Sequence, residues 1–181
     1  VRPASSTNPV LRLRTMVSPK VTALKADVAE IQRALDLLLE PGQVVEIRIP
    51  NTNHATVSGY FTDFDKLAQA AAANSGEGPG VYVTLNPVNP DLLARANNRV
   101  KGYSKETTAD RDILKRRWLP IDFDAVRPAG ISSTDAEHEL ALDRARTCRE
   151  WLGSQGWPEP TFTDSGNGAH LLYLVNLPSD D

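Results

Sequence analysis

Leu119-Pro120-Ile121-Asp122-Phe123-Asp124 places two carboxylates at i and i+2 at the end of an apolar run. Side chains alternate along an extended strand, so Asp122 and Asp124 leave from one side and Phe123 from the other. Both carboxylates can then reach one pair of divalent cations. A polymerase holds such ions roughly 3.5–4 Å apart, one at the attacking 3′-hydroxyl and one on the incoming triphosphate. Alone, an Asp-x-Asp is a weak signal. Asp63-Phe64-Asp65 illustrates this, because it follows Thr62 and opens an alanine-rich segment. There, capping of free backbone N–H groups explains the carboxylates fully.

A second constellation, Asp164-Ser165-Gly166-Asn167-Gly168-Ala169-His170, is a glycine-rich turn feeding a strand that carries a histidine at its entry. Glycines let backbone amides approach an anion, and a neighbouring histidine can donate to a phosphate oxygen. A hairpin turn of the Asn-Gly type with an ordinary strand histidine accounts for the same residues. A third feature is charge. Between Arg95 and Arg117 there are eight basic residues, Lys115, Arg116 and Arg117 among them, against three acidic ones. That segment reads either as a phosphate contact or as a solvated face.

Taken in order, Trp118 to Asp124, Arg127 to Glu137 and Asp164 to His170, together with Gly80 to Pro87 upstream, the chain resembles the primase-polymerase branch of the archaeo-eukaryotic primase superfamily, a type common on phages and other mobile elements. The resemblance covers roughly residues 44–178. It implies that Asp122 and Asp124 bind catalytic Mg²⁺ or Mn²⁺. It also implies that Ser165 and His170, with Asn167 and Gly168 in the same turn, meet the phosphates of a nucleoside triphosphate. Lys115, Arg116 and Arg117 would contact template or primer. The implied reaction is template-directed nucleotidyl transfer, by a DNA primase or DNA polymerase, on single-stranded DNA. A helicase, fused or encoded nearby, is a partner the resemblance admits. The family's third motif, a further aspartate on a later strand, is not matched, and Asp180 and Asp181 follow the second motif too closely to serve. A nucleotide- or nucleic-acid-binding module without turnover is therefore the alternative. A nuclease or replication-initiator domain would use the same acidic pair, but its His-x-His is absent.

The elements that must position these groups follow from periodicity. Leu24, Val28, Ile31, Leu35 and Leu38 recur at helical spacing, predicting an amphipathic helix over 21–39 that ends at Pro41-Gly42. Residues 44–49 alternate as a half-buried strand, 56–61 read as a second strand, 64–74 as a helix and 80–85 as a buried strand. Asp91 is placed to cap a short helix through Asn98, and 101–108 reads as an exposed, mobile loop. Thr134-Asp135-Ala136-Glu137 fits a capping box before an apolar stripe of Leu140, Ala141, Ala145, Cys148, Trp151 and Leu152. The three tryptophans, Trp118, Trp151 and Trp157, read as core, His54 as solvated, and His138 and Cys148 as structural or exposed.

Strand, strand, helix, strand suggests a mixed sheet covered by helices, an α/β fold, α+β in a stricter scheme. The resemblance implies an N-terminal αβ unit packed on an RRM-like mixed sheet with the site in the cleft between. Residues 1–19 read as a disordered or non-native leader, 20–43 as an N-terminal helix and 44–181 as the catalytic domain, cut before its third metal-binding motif. A net charge of −3 argues against a protein that coats nucleic acid through a global positive field. A single cysteine excludes internal disulfides and zinc sites built from several thiolates. With no membrane-length apolar run, the expected location is the cytoplasm.

Overall fold

The computed structural model describes residues 26–128 and 130–179. The leader, the first turn expected for the N-terminal helix, Ala129 and the Asp180-Asp181 tail lie outside them. The chain runs α1 (Val28–Leu38), β1 (Val45–Thr52), β2 (Ala55–Phe61), α2 (Phe64–Ala73), β3 (Tyr82–Val83), β4 (Lys115–Asp124), α3 (Asp135–Ser154), β5 (Thr161–Asp164) and β6 (Gly168–Pro178). No helix among the described residues is long and apolar enough to cross a membrane.

The strands form two three-stranded sheets, ordered β2-β1-β3 and β4-β6-β5, rather than one mixed sheet. Every strand pair in them is antiparallel. The reason lies in the connections: β1 and β2 are joined by a tight hairpin, as are β5 and β6, and α3 carries β4 across to β5 with β6 set between them. The result is an α+β architecture whose second half is a split βαβ unit.

Each sheet has its own core. Leu35 and Leu39 at the end of α1, with Leu67 and Ala68 of α2, close over Val45, Ile47, Ile49, Val57 and Phe61. Leu142, Ala145 and Leu152 of α3 close over Ala169, Leu171 and Tyr173, flanked by Ile121 and Phe123. Trp118 is buried, as expected, but Trp151 is 61% exposed. A three-stranded sheet covers only one stripe of α3, and Trp151 shares the outer face with the exposed Leu140. Trp157 is also partly exposed and stands edge-on to the Tyr173 ring at 5.2 Å.

Local chemistry sets the helix starts. Asp27 caps α1 through Ala29 N, and Thr134 with Glu137 completes the capping box of α3. Asp63 accepts from Lys66 N at 3.1 Å and caps α2, the role its context predicts. Asp63→Ala should lower the melting temperature by about 2–4 °C without changing any activity of the chain, as read by thermal unfolding.

Two segments differ from expectation. Asn89, not Asp91, is the cap, and the segment beyond it is a 3-10 turn over Pro90–Arg95. It stops there because β2 takes the following backbone: Tyr60 N donates to Ala96 O at 3.0 Å and Asn98 N to Tyr60 O at 2.7 Å. The 80–85 strand shortens to Tyr82–Val83; beyond it Thr84 N still donates to Glu46 O at 3.0 Å, but side chains take up the next partners. Thr84 Oγ1 accepts from Glu46 N at 2.9 Å, and Asn86 Oδ1 accepts from Trp118 N at 2.9 Å.

Glu46, in the middle of β1, is 1% exposed. Arg48 donates to it through Nη2 at 2.6 Å, Ser58 Oγ at 2.5 Å and Thr108 N at 3.0 Å. Burial pushes this carboxyl upward, but the hydrogen bonds from Arg48, Ser58 and Thr108 together outweigh it and hold the group below its usual 4.5. A cavity of about 410 Å³ opens over this pair, between β3 and residues 108–113, on the first sheet rather than at the acidic pair of β4.

Candidate active site

The open face of the β4-β6-β5 sheet is built by register. Directly opposed residues of an antiparallel pair share a face, and β4 sets Asp122 against His170, Phe123 against Ala169 and Asp124 against Gly168. Phe123 and Ile121 turn toward α3. Asp122 and Asp124 therefore stand on the other face, both exposed. Farther along β4 that face is closed by the N-terminal unit, where the buried Trp118 donates from Nε1 to Leu38 O at 2.7 Å. The acidic end remains open.

His170 Nε2 lies 3.1 Å from Asp122 Oδ1, with the two side chains 40% and 59% exposed. On β5, Thr163 is paired with His170, and its Oγ1 lies 3.3 Å from His170 Nδ1. A neutral imidazole satisfies both contacts when Nε2–H donates to Asp122 and Nδ1 accepts from the threonine hydroxyl. Asp122, His170 and Thr163 thus form one row across three strands, with Asp124 in the next row.

The turn before His170 is held by its own polar groups. Ser165 Oγ accepts from Gly168 N at 3.1 Å and donates to Gly168 O at 3.2 Å. Asn167 Oδ1 accepts from Ser133 N at 2.9 Å, tying the turn to the start of α3. Asp164 Oδ1 accepts from Gly166 N at 2.7 Å and meets His138 Nε2 at 2.8 Å. The Gly166 amide first, then His138, hold the Asp164 carboxyl below its usual 3.8. Gly168 is required by packing, since a Cβ there would sit 2.1 Å from Phe123 O. Of the four turn residues expected at a nucleotide, His170 is the one whose ring is set beside the acidic pair, while Ser165, Asn167 and Gly168 shape the hairpin that presents it.

Lys115, Arg116 and Arg117 sit at the far end of β4, roughly 17–23 Å of extended strand from Asp122. Lys115 Nζ lies 2.9 Å and Arg117 Nε 3.1 Å from Glu40, whose carboxyl they hold below its usual 4.5, the hydrogen bond from Lys115 being the largest cause. Arg117 also donates to Leu38 O at 2.5 Å and stacks over the Trp118 ring at 4.9 Å. These two cations brace β4 against the end of α1. Arg116, exposed, is paired along the strand with Leu177.

No family model, curated protein or solved structure matches the chain. The site is therefore characterised by its own geometry. Asp122 and Asp124 offer hard oxygens of the kind a divalent cation takes, on one open face. Among the described residues, no group of three or more His, Cys, Asp or Glu side chains is gathered to hold a metal. Thr163 belongs to this row and was missed in the sequence, although a hairpin register counted outward from Gly166-Asn167 sets it opposite His170. His138, read as structural or exposed, meets Asp164, which is paired with Ala169 on the α3 side of the sheet.

Proposed function

We propose that the Asp122, Asp124 and His170 cluster is the nucleotide end of a template-directed nucleotidyl transfer site. The observation that carries this reading is the cross-strand row. A histidine that a hairpin alone would leave anywhere on the surface is held 3.1 Å from one of two carboxylates sharing an open face. Divalent cations at the carboxylates would activate the 3′-hydroxyl and neutralise the triphosphate. The chain's own residues supply position. Asp122 and Asp124 provide negative charge on a rigid strand. His170 stands beside Asp122, with Thr163 fixing the ring from the other side, and its Nε2–H would turn to a phosphate oxygen once cations engage the carboxylate.

The test is primer synthesis and extension by the intact protein on single-stranded template, with labelled ribo- and deoxyribonucleotides. His170→Ala should raise the nucleotide concentration for half-maximal synthesis by about tenfold and slow the maximal rate, while template binding without nucleotide stays unchanged. Loss of template affinity alone would remove the nucleotide role.

One observation favours a second reading, a module that binds nucleotide without turnover: no third ligand joins the two carboxylates among the described residues. Calorimetric titration with Mn²⁺ and nucleotide separates the two. Under this second reading, binding persists in a protein that incorporates nothing.

A further inference from the structure

The segment after the 3-10 turn lies along the outer edge of β2. Ser58 and Lys101 exchange backbone hydrogen bonds at 3.0 and 2.9 Å, Tyr103 N donates to His54 O at 2.8 Å and Ser104 N to Thr56 O at 2.9 Å. The expected free loop is thus fastened to the sheet at its 101–104 end, where an edge strand needs cover. This anchoring holds Tyr103 at φ +54°, a backbone region that non-glycine residues rarely adopt. Gly102 must be glycine, since a Cβ there would stand 2.9 Å from the His54 Cβ. The consequence is an aromatic ring kept in water. Tyr103 is 67% exposed and meets His54, also exposed, edge-on at 5.8 Å.

Beside the ring opens a pocket of about 270 Å³ with Tyr60 and Arg95 inside and Lys101, Tyr103, Lys105 and Glu106 around it. Arg95 is fixed by Tyr60 Oη at 3.2 Å and Thr107 O at 3.3 Å, and is partly neutralised by Glu106 at 3.3 Å. Lys101 and Lys105 are exposed and stand in no ion pair among the described residues. A rigid exposed aromatic flanked by uncommitted lysines and a pocket arginine is the composition of a stacking platform with a phosphate track. An acidic peptide would use the cations and leave the ring idle.

We propose that this surface binds a single nucleic-acid strand without regard to base, with one base stacked on Tyr103 and the backbone phosphates held by Lys101, Lys105 and Arg95. The site belongs to the first sheet and does not rest on nucleotidyl transfer at Asp122.

The experiment is fluorescence anisotropy of a labelled oligothymidylate with the full chain, in EDTA and without nucleotide, so that failure of the transfer reading leaves the result intact. Tyr103→Ala should weaken binding by about 5- to 100-fold, and Tyr103→Phe, which keeps the stacking face, should bind within about twofold of the parent. The double variant K101A/K105A should lower the slope of log affinity against log salt by about 1.4, the value for two phosphates on a single strand. Should Tyr103→Ala fail to fold, photocrosslinking of the bound strand to the parent protein decides, with a crosslink expected within 101–105. The proposal is overturned by parent-like binding of Tyr103→Ala, by an unchanged salt slope, or by a crosslink elsewhere. Inorganic phosphate or polyglutamate competing as well as unlabelled strand overturns it too, leaving a plain anion pocket.

Discussion

Under the proposed transfer reading, Asp122→Ala and Asp124→Ala should each reduce templated nucleotide incorporation by the intact protein at least about 100-fold, because each would remove a hard oxygen ligand whose charge that reaction needs throughout phosphoryl transfer. Stability should hardly move. Both side chains are on the exposed face, and the contact of Asp122 with His170 is a solvent-accessible one, of the class worth about 0–1 kcal/mol. The informative control is Asp122→Asn, which keeps size and one hydrogen-bond acceptor but loses the charge. It should be as inactive as the alanine variant while melting with the parent. Incorporation within about threefold of the parent for any of the three would remove the acidic pair from the chemistry.

Glu46→Ala should destabilise the first sheet by about 3 kcal/mol, a loss of about 6–12 °C in melting temperature. The carboxylate is fully enclosed, and its removal strands the Ser58 hydroxyl, the Thr108 amide and a guanidinium that is only 36% exposed. Glu46→Gln keeps the shape and so isolates the charge. The folded carboxyl sits below its usual 4.5, so the unfolded chain binds more protons in the acid range. Its contribution is therefore complete above about pH 4.5 and is lost as pH falls through the folded value. Denaturant titrations from pH 7 down to pH 3 should show the parent losing stability on this limb, with Glu46→Gln flatter over the same interval. Equal slopes for the two proteins would place the acid sensitivity elsewhere.

Local signals reached the helices and most strands because each rests on neighbouring residues. Asp63 and the Thr134–Glu137 box read as caps because a side chain three residues from a free amide has few other partners. Phe123 read as inward and its flanking aspartates as outward because alternation is intrinsic to an extended chain. Other assignments depended on partners far along the chain. The basic run ending at Arg117 read either as a phosphate contact or as a solvated face, yet Lys115 and Arg117 close on Glu40, and nothing in the local spacing announces a carboxylate 75 residues away. Segment 101–108 carries no period and read as loose, because its ordering comes from donors and acceptors on β2 and Glu46. Trp151 read as core because an apolar stripe does not reveal how wide a sheet lies beneath it.

By itself the sequence determined that Asp122 and Asp124 leave one side of a strand, that a glycine turn precedes His170, and where α2 and α3 begin, since each of these is an interaction over a few bonds; α1, expected from residue 21, begins instead at Val28 behind the Asp27 cap. Only the tertiary structure decided that two antiparallel sheets form instead of one mixed sheet, and that Asp122 and His170 become register partners. It also decided which cations are engaged within the fold and which stand beside Tyr103 in solvent. Those outcomes belong to pairings between strands distant in the chain, whose register is chosen by the burial of whole faces against α1, α2 and α3 and leaves no periodic trace in any short window of residues.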